Sequence, residues 1–567
     1  MWNELAQIAP GGPILDIFLT EKGEQILVSP NGLLKHQSQT WRLLMRGVPF
    51  WQTNCAAAAG KTIFSSGFPT GIIRSIDGGK SWLNTFIDQQ TAPIVNIVAS
   101  PNYAKDRIML AATDGDGILR STDGGRHWQL SNFGLRDFQI VELVVAPQWD
   151  ERYEFCIAVS ETAVYQSPNG GRAWRRVEFD EEAHPSAVVF SPDFQNDRTV
   201  YLSTQDGKLF CSANSGRQWQ KVADGFETIS GLCLIQNKLF IVEFDKVIAC
   251  ATSDFSKREI VLQDTLPILS LNAIKTQLHL TTIDGVTVSA DNGRSWQAVE
   301  SYNARRFVWV KRSANALIVA GPDDGIWLST DGGRSWSLLW ADGTVLALDV
   351  SHEQIFVSSD IGLFVSPDLG KSWLQAGVID EQMMGVAIAD SHLWLGSQFG
   401  QIFRQSGAGL EPQNAPFTGK ALLDMQQING FVTTVVYNAD SSEIQLWQWQ
   451  PENKVWHLFF SERSQPNKPV IAVDNRWGVV IGVAGSLYVK AQSGWRRVQV
   501  SSSDAPITAV YSQQDHFLIG ATDRLLKVSK TDFAQIEALS WDGDPILDIS
   551  EHVMVTINGR VFQAPSQ

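Results

Sequence analysis

The side chains best placed to do chemistry are carboxylates that return at a fixed offset from glycine and tryptophan. An octet Ser-x-Asp-x-Gly-x-x-Trp places Ser75, Asp77, Gly79 and Trp82 in one copy and Ser121, Asp123, Gly125 and Trp128 in the next. Ser167, Asn169, Gly171 and Trp174 follow, then Ser212, Asn214, Gly216 and Trp219. Later copies carry Asp291, Gly293 and Trp296, then Asp331, Gly333 and Trp336, then Asp368, Gly370 and Trp373. A repeated carboxylate could hold a metal, move a proton, or accept hydrogen bonds from the amides of its own turn. The turn reading accounts for the Asp, the Gly and the Trp together. Asp tolerates turn geometry and accepts backbone hydrogen bonds, Gly supplies a positive φ, and Trp covers the hairpin while its indole N–H reaches a carbonyl. The octets are therefore expected to be structural.

Other reactive groups form no convergent set. The 9 histidines include no pair at HExxH spacing. No phosphate-binding loop, dinucleotide fingerprint or Gly-x-Ser-x-Gly is present, so neither cofactor nor metal is expected. Asp114-Gly-Asp116-Gly looks like a fragment of a calcium loop but lacks the downstream Glu. Five cysteines, without a CxxC, read as buried thiols in a reducing compartment. Lys and Arg total 45 against 60 Asp and Glu, a net charge of −15 that argues against nucleic acid. The first residues show no basic and apolar leader, and no apolar run is long enough to span a bilayer. A cytoplasmic location and no membrane span are expected.

The elements that must position the octets follow from their period. Successive copies begin 37 to 46 residues apart, with one interval of 77 that a worn copy at Thr252-Ser-Asp254 divides. Each period holds four strand-length apolar runs, as in Ser186-Ala-Val-Val-Phe, Thr199-Val-Tyr-Leu-Ser, Lys208-Leu-Phe-Cys-Ser and Trp219-Gln-Lys-Val. Four antiparallel strands per period of about 40 residues make a propeller blade. The pattern continues through 384–412, 420–460, 470–500 and 507–540 with worn turns, and 13–44 forms a blade at the other end. The stretch 545–567 supplies three strands, and Trp2-Asn-Glu-Leu-Ala can supply the fourth, closing a ring without exposed edges. The fold class is all-β: tandem β-propellers with about fourteen four-stranded blades, in two seven-bladed rings. The expected partition is 1–262 closed by 541–567 (strands within 545–567), with 266–540 as an inserted second ring. The other partition puts 13–299 in one ring.

The octet, preceded by Gly-Ile-Ile-Arg, Gly-Ile-Leu-Arg or Gly-Ile-Trp-Leu, resembles the Asp-box (BNR) repeat of β-propeller proteins. That family includes sialidases, sortilin-type receptors, photosystem II assembly factors and xyloglucan-degrading glycosidases. A sialidase needs an Arg-Ile-Pro element and a nucleophilic Tyr; the element is missing and Tyr is scarce, 8 against 21 Trp. The xyloglucan-type enzymes imply two Asp carboxylates, one from each propeller. Among the many acids outside the octets the candidates are Asp114, Asp116, Asp180, Glu181, Glu182, Asp323, Asp324 and Asp360, and no two can be aligned to that pair. Trp149, Trp309, Trp340, Trp394, Trp447, Trp449 and Trp477 could stack on sugars, with core packing the competing expectation. The resulting expectation is a non-enzymatic scaffold with a protein partner. The alternative is a glycan-binding or xyloglucanase-like protein using a groove between rings.

Overall fold

The computed structural model describes residues 2–564 except 9–10, 38–39, 45–51, 69–70, 89–90, 150–152, 178–183, 300–301, 303, 314–315, 378–381, 407–408, 465–467, 492–493, 502–505, 523, 542–543 and 551. Asp180, Glu181 and Glu182 lie outside the described residues.

Among the described residues the chain forms fourteen sheets, each an antiparallel meander of four strands. Strand burial follows strand order. In one sheet the second strand, Val200–Thr204, is buried at every residue, whereas the fourth, Gln220–Ala223, has no buried residue. A strand covered on both faces reads as a continuous apolar run, and an outer strand is free to be polar. One sheet gains a short fifth strand, Phe86–Ile87, which pairs in parallel with His127–Leu130. The meanders form tandem β-propellers.

The sheets fall into two compact units. The inserted unit is Gly11–Ala304, and the terminal unit is Met1–Pro10 with Arg305–Gln567. Each holds seven sheets. In the inserted unit the first strands of successive sheets pack side by side, and Ile268–Ile274 sits between Gly231–Ile235 and Asp16–Leu19, which closes the ring. Gly11 N–H to Tyr302 O at 3.0 Å and Ala304 N–H to Gly11 O at 2.9 Å tie its two ends together. In the terminal unit Asn3–Gln7 pairs with Arg560–Gln563 as the outer strand of the sheet built from Ile546–Ile549, Val553–Thr556 and Arg560–Gln563. The shared terminal blade is therefore present, but the expected division at 262/266 and 540/541 is corrected. The sheet of 268–298 completes the inserted ring, and the terminal blade belongs with 305–567. The expected division kept strands from crossing between rings, whereas the ring is set by which inner strand packs on which; the other partition, with 13–299 in one ring, is the one that agrees.

Ten of the inner strands carry a bulge at the same place, as at Ile94/Asn96, Ile140/Glu142, Leu422/Asp424 and Ile546/Asp548. A bulge leaves one residue unpaired and re-aims the next. The helical turns Tyr103–Asp106 and Phe194–Asp197 join first to second strands, each anchored by a buried aromatic. Ser100 and Ser191 close these loops by donating to Asp106 and Asp197 at 2.5 Å. Ser100-Pro and Ser191-Pro open the same loop in two sheets, and its repetition from sheet to sheet marks it as architecture. A related loop opens at Ala146-Pro and runs into 150–152, outside the described residues.

Candidate functional site

Each octet begins where a third strand ends, and its side chains bond to their own turn. Ser75 donates from Oγ to Asp77 Oδ1 at 2.8 Å and accepts from Gly79 N–H at 2.8 Å. Asp77 Oδ1 accepts from the N–H groups of Lys80 and Ser81 at 3.0 Å, and Oδ2 accepts from the Ser81 hydroxyl at 2.6 Å. Asp123, Asp291, Asp331 and Asp368 repeat this arrangement, His127 replacing the hydroxyl at Asp123. Asn169 and Asn214 keep the acceptor role through Oδ1. The worn copy differs: Asp254 opens the ten-residue strand Asp254–Gln263. Burial acts to raise the Asp77 carboxyl, but the Ser81, Ser75 and Lys80 hydrogen bonds outweigh it and hold it at about 2. The Ser295 hydroxyl and amide do the same for Asp291, also at about 2.

The octet also joins neighbouring sheets. Gly125 has φ 74°, and a Cβ there would strike the Phe64 ring of the preceding sheet. The indoles of Trp82, Trp174, Trp296 and Trp373 donate to Leu44, Ser131, Val261 and Leu339 of the preceding sheet, at 3.3, 2.9, 3.0 and 3.3 Å. Those of Trp128, Trp219 and Trp336 donate instead to Gly125, Gly216 and Gly333 of their own turns. Trp495, beyond the good octets, still clasps Phe459 O at 3.2 Å.

A second set of carboxylates stands along the inner strands. In the inserted unit Glu142 accepts the Val188 N–H of the next sheet at 2.8 Å, and Asp16 accepts from Asn272 and Ser270. Burial lifts Glu142 to about 7, only partly offset by the Val188 amide, and pushes Asp16 up as well. In the terminal unit the inner carboxylates are met by cations: Asp349 by Lys311 at 2.8 Å, Asp424 by Lys468 at 3.1 Å, and Asp548 by Arg312. These carboxylates are not among the candidates named from the sequence. Their signal was the recurring Ile14-Leu-Asp-Ile, Ile140-Val-Glu-Leu, Leu422-Leu-Asp-Met and Ile546-Leu-Asp-Ile, an acid set inside an apolar inner strand.

The other expected acids mostly fasten loops. Asp116 accepts Ala92 N–H at 2.6 Å, Asp114 lies in an isolated bridge to Gln139, and buried Asp324 accepts Arg306 N–H at 2.7 Å. Asp323 and Asp360 come together on one residue: Thr344 donates its hydroxyl to Asp323 at 3.2 Å and its N–H to Asp360 at 2.7 Å. Among the described residues no group of three or more His, Cys, Asp or Glu is placed to hold a metal ion. All five cysteines are free thiols. No helix among the described residues is long and apolar enough to cross a membrane.

Trp149, Trp394 and Trp449 are buried in cores. Trp340 is also buried but lines an open cleft of about 440 Å³ in the terminal unit, with Leu338, Asp342, Phe364, Trp373 and Gln375. Its ring centroid lies 5.7 Å from Phe364 and 6.3 Å from Trp373.

No protein-family model and no curated protein matches the chain. Among solved structures, the GH74 xyloglucanase from Xanthomonas campestris superimposes with a TM-score of 0.62 at 15% identity, covering 100% of both chains. The GH74 enzyme of Niastella koreensis gives 0.61 at 13% identity over 99% of both chains. An ancestral GH74 enzyme gives 0.57 at 14% identity, covering 92% of this chain and 97% of its own. These are likenesses of fold.

Proposed function

We propose that the chain is a non-enzymatic binding scaffold built on Asp-box propellers, with a protein as its partner. The observation that carries this reading is where the repeated carboxylates spend their hydrogen bonds. Those of the octets are tied to their own turns, and those of the inner strands to an amide, hydroxyl or cation of a neighbouring sheet. A general acid or base must instead keep a reacting proton within reach of substrate. Free thiols fit a reducing compartment.

The experiment is incubation of the purified protein with xyloglucan and with mixed-linkage β-glucan, measuring reducing ends. No release above buffer is expected. The second reading is a xyloglucanase-like hydrolase, favoured by the two carboxylates on Thr344 and by a backbone likeness that runs the length of GH74 enzymes. Two carboxyl groups near one bond are the requirement of glycoside hydrolysis. Release of reducing ends that is lost in both Asp323→Asn and Asp360→Asn would replace the scaffold reading with this one.

A further inference from the structure

In a four-stranded meander the turn between second and third strands lies at the same end as the start of the first strand. Hydrogen bonds in the inserted unit fix this end: Asp114 N–H to Pro93 O at 2.9 Å, Gly117 N–H to Phe138 O at 2.8 Å, Ile268 N–H to Phe244 O at 2.8 Å, and Ile14 N–H to Thr282 O at 3.2 Å. Large apolar side chains gather there in the open. Phe244 is 65% exposed, and Ile283, Phe138, Val141, Leu269 and Val95 are each more than a third exposed. Val95, Val141 and Leu269 are the unpaired residues of the inner-strand bulges, so the backbone itself pushes them outward. Exposed apolar groups clustered on one surface mark contact with another molecule.

The charge around them is predominantly negative, with Arg136 an exposed cation beside Phe138. Asp114, Glu161, Asp206 and Asp284 are exposed on these turns. The lysines present are already engaged, Lys208 with Asp206 at 3.0 Å and Lys246 with Glu243 and Glu227 at 2.8 Å. At the opposite end cations accompany the acids: Lys80 and Arg126 follow Asp77 and Asp123 in sequence, and Arg172 meets Glu154 at 2.6 Å. The ring is thus polarised, with an acidic, apolar end opposed to a balanced one.

We propose that this end of the inserted unit docks a basic, apolar segment of a partner protein, an assignment that rests on the scaffold reading. The carboxylates select cationic side chains and repel nucleic acid, while the bulge residues and Phe244 need apolar ones.

The probe is a labelled twenty-residue peptide of alternating Lys and Leu, compared by fluorescence anisotropy with a Lys/Ser peptide of equal charge. The expected result is binding to the Lys/Leu peptide that is at least about tenfold tighter and that weakens with salt. Asp114→Asn with Glu161→Gln should weaken it about tenfold, and Phe244→Ser should do so without changing the salt dependence. Glu21→Gln with Asp193→Asn, at the opposite end, should leave binding unchanged, with melting curves reporting the fold of each variant. Equal binding of the two peptides, or equal weakening by the opposite-end pair, overturns the proposal. A partner cross-linked to another surface would overturn this inference and leave the scaffold standing, whereas xyloglucan hydrolysis would remove the scaffold reading itself.

Discussion

The two units place acids at corresponding inner-strand positions and treat them differently. In the terminal unit Asp349, Asp424 and Asp548 each face a lysine or arginine. In the inserted unit Glu142 and Asp16 have only amide and hydroxyl partners, and both carboxyls are pushed up. A carboxylate taken out of water must be paired or tend toward the neutral acid. A cation opposes that rise without always cancelling it: burial outweighs Arg312 at Asp548, whose carboxyl is also pushed up. The lesson is that the neighbouring sheet decides which partner a buried carboxylate meets, and the depth of burial decides whether that partner is enough.

The sharpest way to break the paired side is at Asp474, an inner-strand residue of the terminal unit, whose partner Lys530 stands 2.5 Å away with both side chains buried. Burial raises this carboxyl, but Lys530, Ser512 and the amides of Trp477 and Arg476 bring it below the usual range. Lys530→Met leaves the charge without its cation and should cost about 3–5 kcal/mol in urea unfolding at neutral pH. Because the folded carboxyl sits below its free value of 3.8, the contribution is present above that pH and fades as pH falls through it. A loss that does not shrink in acid would show that Lys530 matters for packing alone.

The unpaired side predicts the opposite slope and a smaller effect. Glu142 rises from 4.5 to about 7 on folding, so its contribution is full below 4.5 and is lost as pH climbs through 7. Glu142→Gln keeps an acceptor for the Val188 amide and removes the charge. The variant should match the parent near pH 4.5 and exceed it in thermal stability at pH 8. Equal stability at pH 8 would place water or a cation beside Glu142 and erase the contrast between the units.

The smallest effect is expected at the octets. Asp77→Asn reproduces what Asn169 and Asn214 already do with Oδ1, and Asp77 is exposed. The cost should be under about 1 kcal/mol at pH 7, since one charge-assisted set of bonds becomes neutral in a screened position. Chemical denaturation checks it, and a loss of several kcal/mol would mean that the octet charge does more than hold a turn.

Much of the fold was legible because its signals are local. Gly125 and Trp128 specify a hairpin within eight residues, and Asn3–Gln7 announced itself as the strand missing beside Arg560–Gln563. Ring membership was legible only as a choice between two partitions, because it depends on Ile268–Ile274 packing on Asp16–Leu19 across some 250 residues of sequence. The candidate site was legible only in part. Asp323 and Asp360 are evident as acids in the sequence, but their meeting on Thr344 comes from two turns in neighbouring sheets. Asp424 stands out from Asp114 in sequence by its apolar neighbours, but its pairing with the distant Lys468 does not.

The blade that joins residues 3–7 to 560–563 sets an order of events during synthesis. By the time residue 298 leaves the ribosome, the inserted unit has every strand it needs, whereas the strand near residue 5 waits until residue 563 is made. Nascent chains build domain by domain, and an unmatched edge is a place where another chain can add. A strand made before either ring is thus placed only after both, and during the interval of waiting the edge it will cover stays open to other chains.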